Sequence, residues 1–416
     1  MALTPEEHLA WILTQVPTLP AQPLDLVTDF ARLHTAVLAE DVLAAHPLPL
    51  WDNSAMDGYA VRCADLTSTS KQQPVILDVL GEVAAGSSWD PVLAPGQCVR
   101  IMTGAPLPTD ADAVVRVEDI RAVDTQEPWS AQRVEFLTPV APGKDIRRRG
   151  EDKEAADPVA RAGQRLSAAG ISSLAAAGVT RVQARPTPSV AVLITGSELQ
   201  PIGTKLERGQ IPESNSLLIR GLLGEAGISQ ITMHRCGDDP DSVRQQLRTL
   251  GSTHDVVIST GGVGPGNHDV MRMVLAEEPA VRAVRVAVRP GQPQCAGRLE
   301  SGAMMFALPG NPVSAAVSFE LFVRPALRAM QGSSTVQRPR FKATAVTGWR
   351  GAKNRLQVLP ITFDPADGTR CLPAVQAANI SHSVGGFGAA EGYALVGADR
   401  GDVAAGEQVE VIRVIG

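Results

Sequence analysis

Four glycines fall within six residues at Gly261-Gly-Val-Gly-Pro-Gly266. They follow the apolar run Val256-Val-Ile258 and precede a helical pattern that begins near His268. A buried strand that stops at a glycine-rich turn and restarts as a helix is how open α/β sheets build anion sites. Glycines let backbone N–H groups come close to an anion, and the helix N-terminus adds partial positive charge. The spacing matches neither the Walker pattern nor the dinucleotide fingerprint. Taken alone, Gly261, Gly262, Gly264 and Gly266 read as a phosphate or oxyanion loop. Asp269, at the lip of the next helix, reads more simply as an N-terminal cap than as a metal ligand.

Other segments end strands in the same way. From Pro188 onward the pattern alternates strand and helix. A strand at Val190–Ile194 leads into Thr195-Gly-Ser-Glu198, and a helix follows at about Ser216–Ala226. A strand at Ile228–Met233 leads to Cys236-Gly-Asp-Asp-Pro240, with a capped helix at Asp241–Leu250. After the glycine loop come strands at Val284–Val288 and Met304–Leu308, then Pro309-Gly-Asn-Pro312 and a long apolar helix at Val313–Met330. This alternation implies a parallel, doubly wound sheet with right-handed crossovers. Ligands of such sheets bind beyond the carboxyl ends of the strands, so Glu198, Asp238 and Asp269 are expected to converge beside the glycine-bearing loops. Three acids arriving from three strand ends are harder to explain by capping alone. Oxygen ligands around a phosphate-bearing substrate suit Mg²⁺. Arg285 and Arg289, four apart on the expected Val284–Val288 segment, would share a face and could meet an oxyanion there.

The flanking regions are of different character. Residues 4–15 read as a helix with a Thr4–Glu7 capping box, and a second helix is expected over Asp29–Leu43. Pro49-Leu-Trp-Asp-Asn-Ser-Ala-Met-Asp-Gly-Tyr59 places Asp52, Asn53, Ser54 and Asp57 within six residues. That cluster is either a hydrogen-bonded turn or a polar loop presented to a ligand. Residues 74–140 read as short strands, with Thr103-Gly104 at a strand end. The run Arg147-Arg-Arg149 is ordinarily a solvated surface, but among Gly143, Gly150 and two acids it could line a phosphate-binding face. A small-residue helix at Ser167–Ala177 ends at Gly178 before a strand at Val179–Ala184. Beyond the Gly332-Ser-Ser-Thr-Val-Gln337 linker, residues 338–416 read as a small all-β domain.

Bulk properties narrow the functional classes. With 416 residues the chain is too long for one core. Its net charge of −6 shows no basic domain, which argues against a nucleic-acid partner. Five scattered cysteines without a CxxC pair argue against structural zinc and suit a reducing compartment. No uninterrupted apolar segment reaches a membrane-spanning length, and the N-terminal residues lack a signal-peptide pattern. The expectation is a cytoplasmic protein that is not embedded in a membrane.

At this point a family resemblance emerges. The sequence resembles the molybdopterin molybdenumtransferase family, meaning bacterial MoeA and the E domain of gephyrin. The motifs that carry it are Asp52-Asn-Ser-Ala-Met-Asp-Gly-Tyr-Ala60, Arg100-Ile-Met-Thr-Gly-Ala105, Arg147-Arg-Arg-Gly-Glu-Asp152, Gly261–Gly266 with Asp269, and Leu308-Pro-Gly-Asn-Pro-Val-Ser314. They run in family order over nearly the whole chain. The resemblance implies a homodimer of four-domain chains. Domain I would be discontinuous and mainly helical over 1–51 and 145–186. Domain II would be all-β over 52–144, domain III a MogA-like α/β domain over 187–332, and domain IV β-barrel-like over 333–416. The active site would lie between domains III and IV of one subunit and domain II of the other, which would bring Asp57 and Thr103 to the glycine loop of the partner chain.

The family's reaction inserts molybdate into adenylylated molybdopterin, releases AMP and needs a divalent metal such as Mg²⁺. The resemblance assigns catalytic roles to Asp57, Thr103, Glu198, Asp238 and Asp269, with the metal on Asp238, Asp269 and Glu198. It assigns substrate contacts to the glycine loop, Pro309 and Asn311, and the molybdate side to Arg285, Arg289, Pro290, Ser314 and Ser381. This chain departs from the family on that anion side. Arg285 and Arg289 stand where lysines are usual, Gln292 replaces another lysine, and Ser197 replaces an aspartate. Pro360 falls where a molybdate-holding arginine is expected, with Arg355 nearby, and Ile380 rather than glycine precedes Ser381. Arginine keeps the charge but not the point-charge geometry of lysine. Two functions follow from the resemblance: an active molybdenum insertase, or a gephyrin-like scaffold, non-enzymatic or dual-role. Such a scaffold would capture short peptides of membrane-receptor, cytoskeletal or cell-division proteins in a groove beside domain IV.

Overall fold

The computed structural model describes residues 2–264 and 269–414. They form two compact units, one of Met1–Glu40, Ala162–Ser167 and Arg181–Gly416, the other of Asp41–Arg161 and Ala168–Thr180.

The larger unit contains a six-stranded sheet. Its order is Ile231–Cys236, Val190–Thr195, Val256–Thr260, Met304–Leu308, Pro293–Arg298, Ala280–Arg285. The first four strands pair in parallel, with Val190 opposite both Ile231 and Val256, and Val256 opposite Met304. The last two join by antiparallel pairings. Val190–Thr195, Val256–Thr260 and Met304–Leu308 are buried at every residue, as strands covered on both faces must be. Alternation sends Val192 and Ile194 to one face, against Ile219 and Leu223 of helix Asn215–Glu225 and Phe319 and Phe322 of the last helix. It sends Ala191 and Leu193 to the other, against Val243 and Leu247 of helix Pro240–Thr253 and Val274 of helix Val270–Leu275. Helices on both faces make the doubly wound layer that the alternating pattern predicts.

Three sequence expectations change. The strand expected at Ile228–Met233 is Ile231–Cys236. Ile228 instead closes the preceding helix, its N–H donating to Leu223 O (2.9 Å) after Gly227 at φ +84°. The expected Asp29–Leu43 helix survives only as Phe30–Leu33. Val37 and Leu38 pair with Arg185 and Ala184, so a ladder overrides the helical spacing of their apolar side chains. The expected Val284–Val288 strand is two strands in two different sheets. Ala280–Arg285 ends the edge of the α/β sheet, whereas Val288–Arg289 pairs in parallel with Leu356–Gln357 of the C-terminal sheet. The long C-terminal helix, Pro312–Ser318 and Arg324–Met330, carries a π turn at Phe319–Val323. Pro325 cannot donate to the carbonyl four residues back, and a local change of register absorbs that loss.

In the tail, Leu356–Asp364, Asp367–Pro373, Phe341–Ala345, Gln408–Arg413 and Gly392–Val396 pair in that order, and the last pairs again with the first. The result is a closed five-strand barrel filled by Leu359, Ile361, Val396 and Val411. Closure removes the free edges that a small sheet would otherwise expose. The smaller unit holds a second six-stranded sheet, Ala113–Arg116, Gly58–Val61, Gln97–Ile101, Val75–Val83, Arg133–Phe136, Ile120–Ala122. Tyr59, Leu66, Leu77 and Phe136 lie in its core. Among the described residues no helix is long and apolar enough to cross a membrane.

The N-terminal helix Pro5–Gln15 forms the expected capping box, Thr4 Oγ accepting from Glu7 N–H and Glu7 from Thr4 N–H. One turn on, His8 is 1% exposed. Its ring meets Phe322 edge-on at 4.8 Å, and neither nitrogen has a hydrogen-bond partner. Burial pushes its pKa down from 6.5 to about 4. The unfolded chain therefore binds more protons between those values, and the stability that neutral His8 contributes is lost as pH falls from 6.5 toward 4. Denaturant unfolding of the wild type and His8→Leu at pH 7.5 and pH 4.5 checks this. We expect the variant to be at least as stable at pH 7.5 and to lose less stability on acidification, by an amount on the order of 2–3 kcal/mol. Equal losses in both proteins would refute the assignment.

Candidate active site

The parallel strands end in step. Thr195 is opposite Cys236, Ile194 opposite Thr260, and Thr260 opposite Leu308. The segments after them therefore emerge at one edge, and short hydrogen bonds tie them together. Ser197 N–H donates to Asp238 Oδ2 (2.8 Å), joining the first two loops. Gly261 N–H donates to Leu308 O (3.1 Å), and Asn215 Nδ2 donates to Gly310 O (2.7 Å). Gly261 and Gly262 have φ of +95° and +65°. A methyl group on Gly261 would stand 2.8 Å from Thr195 O, and one on Gly262 3.1 Å from Met271 N. Both glycines are thus demanded by backbone conformation and by close approach. Of the expected substrate residues, Pro309 is buried and Asn311 precedes the helix, its carbonyl accepting from Ala315 N–H (2.9 Å). Gly266 lies outside the described residues.

Asp269 occupies the N-terminal position of helix Val270–Leu275 but makes no side-chain cap bond there. Its Oδ2 is 2.9 Å from where a methyl on Gly264 would be, so the carboxylate faces the glycine loop. Asp239, not Asp238, caps the helix at Pro240, accepting from Ser242 N–H (2.8 Å). Asp238 is thereby separated from a capping role. Glu198 folds back over Gly196, with Oε2 2.8 Å from that residue's methyl position. The expected convergence of Glu198, Asp238 and Asp269 does not amount to a ready-made metal cage. Among the described residues no three acidic, histidine or cysteine side chains stand close enough together to hold an ion. Each acid comes from a different strand end, and Asp238 already spends one oxygen on Ser197. The donors are all hard oxygens, which suits Mg²⁺ in kind, and one or two carboxylates suffice when phosphate oxygens complete the shell.

The anion side is organised by the loop between the two antiparallel strands, Ala280–Arg285 and Pro293–Arg298. Arg285 is the last residue of its strand, where its carbonyl accepts from Leu3 N–H (2.9 Å) and its guanidinium donates to Gln292 Oε1 (3.2 Å). The chain then leaves the sheet. Val288–Arg289 joins the barrel, and Arg289 donates to Ala378 O (2.7 Å). Ala378 belongs to the turn Ala377–His382, which carries Ser381. Pro290 is buried, and a methyl on Gly291 would meet Ser318 Oγ at 2.9 Å and Ser314 O at 3.4 Å. Arg289, Pro290, Ser314 and the Ser381 turn are thus brought to one corner, where the sheet meets the barrel. Arg285 and Arg289 are not on one strand face. Arg285 lines a separate pocket of about 380 Å³ with Val263, Arg272 and Gln292.

Several residues in these places were not singled out by sequence reasoning. Arg272, three residues after Asp269, donates to Gly264 O (3.3 Å) and braces the loop. Asn215 is buried, and its Oδ1 has no partner. Arg350 lines a cleft of about 530 Å³ with Gln376, Ala377 and Ala378, next to the Ser381 turn. Pro360 is buried in the barrel wall between Ile361 and Leu359. Arg350 therefore adds a second cation, beside Arg289, near this corner. No local pattern marks Arg350 or Asn215, because their neighbours are distant in sequence. Cysteine chemistry is not a candidate here. The five cysteines are free, and burial pushes the Cys295 thiol in the Arg285 pocket up to about 11.

In the smaller unit, Asp57 Oδ1 accepts from both the N–H (2.7 Å) and the hydroxyl (2.8 Å) of Thr103. The backbone bond, then the hydroxyl, holds the Asp57 carboxyl below its usual range. The neighbouring acid has a different task. Asp52 pairs with Arg148 (2.6 Å) and accepts from Arg149 N–H (2.7 Å). The arginine run thus buttresses the polar loop through Arg148, while Asp57 and Thr103 form an exposed hydroxyl–carboxylate pair.

Comparison with known proteins places this architecture. Residues 3–178 match the family model described as MoeA N-terminal region (domain I and II), and residues 191–329 match the one described as "Probable molybdopterin binding domain". A Mycobacterium tuberculosis protein named molybdopterin molybdenumtransferase 2 is 37% identical, over 90% of this chain and 91% of its own length. A Staphylococcus aureus molybdopterin molybdenumtransferase is 34% identical over 82% of this chain and 78% of its own. The solved structure of the molybdopterin biosynthesis MoeA protein of Pyrococcus horikoshii superposes with a TM-score of 0.80 at 27% identity, covering 100% of both chains.

The two left-handed glycines make a direct test of the loop. Gly261→Ala should cost about 1–3 kcal/mol of stability, because its φ is unfavourable and its methyl meets a carbonyl. Gly86→Ala has a similar φ of +83° but open space around it, and should cost less. Thermal unfolding of both variants measures the difference. Equal losses would mean that close packing at Gly261 contributes nothing.

Proposed function

The chain belongs to the molybdopterin molybdenumtransferase family, and on that premise we propose that it catalyses molybdenum cofactor synthesis, inserting molybdate into adenylylated molybdopterin with release of AMP. The reading is carried by one observation: the glycine-loop edge of the sheet and the Arg289–Ser381 corner are held in one unit by the 286–292 excursion. A phosphate-binding face and an oxyanion-binding corner are what the two substrates require. N–H groups of the glycine loop would take the adenylate's phosphates, and the pterin would lie along Pro309 and Asn311. Arg289, with Arg350, Ser314, Ser381 and the Pro290 backbone, would hold the tetrahedral molybdate dianion. Asp238 and Asp269, with Glu198 nearby, would hold a divalent cation such as Mg²⁺, which when bound supplies charge neutralisation at the phosphate link. The protein's part is then positioning and electrostatic preorganisation.

The family's four-domain division, with domain II as the all-β part, extends this reading to a homodimer. The Asp57–Thr103 pair of one subunit would serve the glycine loop of the other. No observation favours the peptide-binding scaffold over the transferase.

Turnover of adenylylated molybdopterin with molybdate, read as AMP release, tests the proposal. Asp269→Ala should lower turnover about a hundredfold or more. Undiminished turnover would return Asp269 to a purely structural position, and failure of the wild-type chain to restore molybdoenzyme activity in an insertase-deficient strain would sink the whole reading. The shared site is tested by mixing Asp57→Ala with Asp269→Ala chains. Each alone should be inactive, whereas random heterodimers with one intact site should recover about a quarter of wild-type turnover. No recovery would place both acids in the same chain's site. On the anion side, Arg289→Ala and Arg350→Ala should each raise the molybdate KM about tenfold with smaller changes in kcat. An unchanged KM in both would remove them from the molybdate site.

A further inference from the structure

A second positively charged cavity has no role in the reading above. It is an open cavity of about 430 Å³ lined by Arg165, Arg324, Arg328, Arg338 and Arg413 together with the 333–335 segment. It shares no residue with the glycine loop, the Arg285 pocket or the Arg289 corner. The volume is within the range of small-ligand sites.

The charge in this cavity is not balanced. Among the described residues the carboxylate paired with these arginines is Glu320, 3.0 Å from Arg338 Nε and 3.9 Å from Arg324. Glu320 is itself buried, and that burial raises its pKa, weakening it as a counter-charge. Arg324 Nε is buried with no acceptor. Arg328 is 7% exposed, and burial followed by the charges of Arg165, Arg324 and Arg338 pushes its pKa down to about 10. A guanidinium crowded by like charges in a partly dry cavity is stabilised by an anion and by little else. In a chain whose net charge is −6, this concentration of arginines is a local feature.

The rim is preorganised. Ser334 N–H donates to Gly163 O (3.0 Å) and Ser333 N–H to Arg328 O (3.0 Å). Gly163 has φ +78°, and a methyl there would strike Ser334 N at 2.9 Å. Two chain segments are thereby held close on either side of the opening. Arginine forks match phosphate oxygens in geometry as well as in charge.

We propose that this arginine-lined cavity is a binding site for a multiply charged phosphate-bearing small molecule, separate from the site of molybdenum insertion. An ion held there would bridge the end of the long C-terminal helix of the α/β layer, the linker at 333–339 and Arg413 on the last barrel strand, and so brace the junction between layer and barrel.

Inorganic pyrophosphate serves as the probe. Calorimetric titration of the full chain at fixed ionic strength should show saturable binding that chloride does not reproduce. Arg328→Gln and Arg165→Gln should each weaken it about tenfold, while AMP release in the insertase assay persists. Gly261→Ala should leave this binding intact, which separates the cavity from the glycine loop. If Arg328→Gln fails to fold by thermal unfolding, Arg413→Gln, on the exposed rim, and Arg165→Gln decide the matter. No saturable binding in the wild type, unchanged affinity in the folded arginine variants, or loss of the binding in Gly261→Ala would each overturn the proposal.

Discussion

Four parallel strands that end together impose the main constraint on the larger unit. Because Thr195, Thr260, Leu308 and Cys236 finish at one edge, the polypeptide must turn there repeatedly in a small space. Glycine at 261 and 262 is the steric answer, since left-handed backbone and close carbonyl contacts exclude a side chain. The same turns leave Glu198, Asp238 and Asp269 in the segments that follow the strand ends. A mechanical requirement of the fold and the chemistry proposed for a phosphate face thus fall on the same residues.

The second constraint is the excursion from Val286 to Gln292. It leaves an antiparallel edge, gains two ladder positions on the barrel and returns. Leu3 pairs on one side of it, and Val286 N–H donates to Gln292 O (2.8 Å) across its neck. This short loop is what brings a cation of the α/β layer to a turn of the barrel. The two arginines at 285 and 289 have different structural tasks here. Arg289 donates to Ala378 O of the barrel turn, and Arg285 donates to Gln292 across the neck of the excursion. Arg285 and Gln292 are coupled by contact, and Arg289 stands apart from them at the corner.

Much of the layer was legible in the chain. The apolar runs at Val190, Val256 and Met304, the capping box at Thr4 and the glycine loop are local signals whose physics lies within a few residues. The misread segments share one cause. Val37 and Leu38 have helical spacing, yet a partner strand at Arg181–Arg185, far along the chain, claims them. Arg285 and Arg289 look like one strand until the barrel strand at Leu356 competes for the second. The reading of Asp269 as a cap is altered by a local contact instead: the side chain faces Gly264 of the adjoining loop and makes no cap bond to its own helix.

The sequence by itself determined the doubly wound layer, the glycine-rich turn and the family, because each depends on periodicity, turn chemistry or motif spacing. Tertiary structure decided which cations share a corner, that Arg350 lines a cleft with Ala377 and Ala378 of the Ser381 turn, and that five arginines from four segments line one cavity. Those outcomes depend on which strands pair across long stretches of chain. Pairing is settled by the competition of whole surfaces for burial, and no local window of residues contains that information.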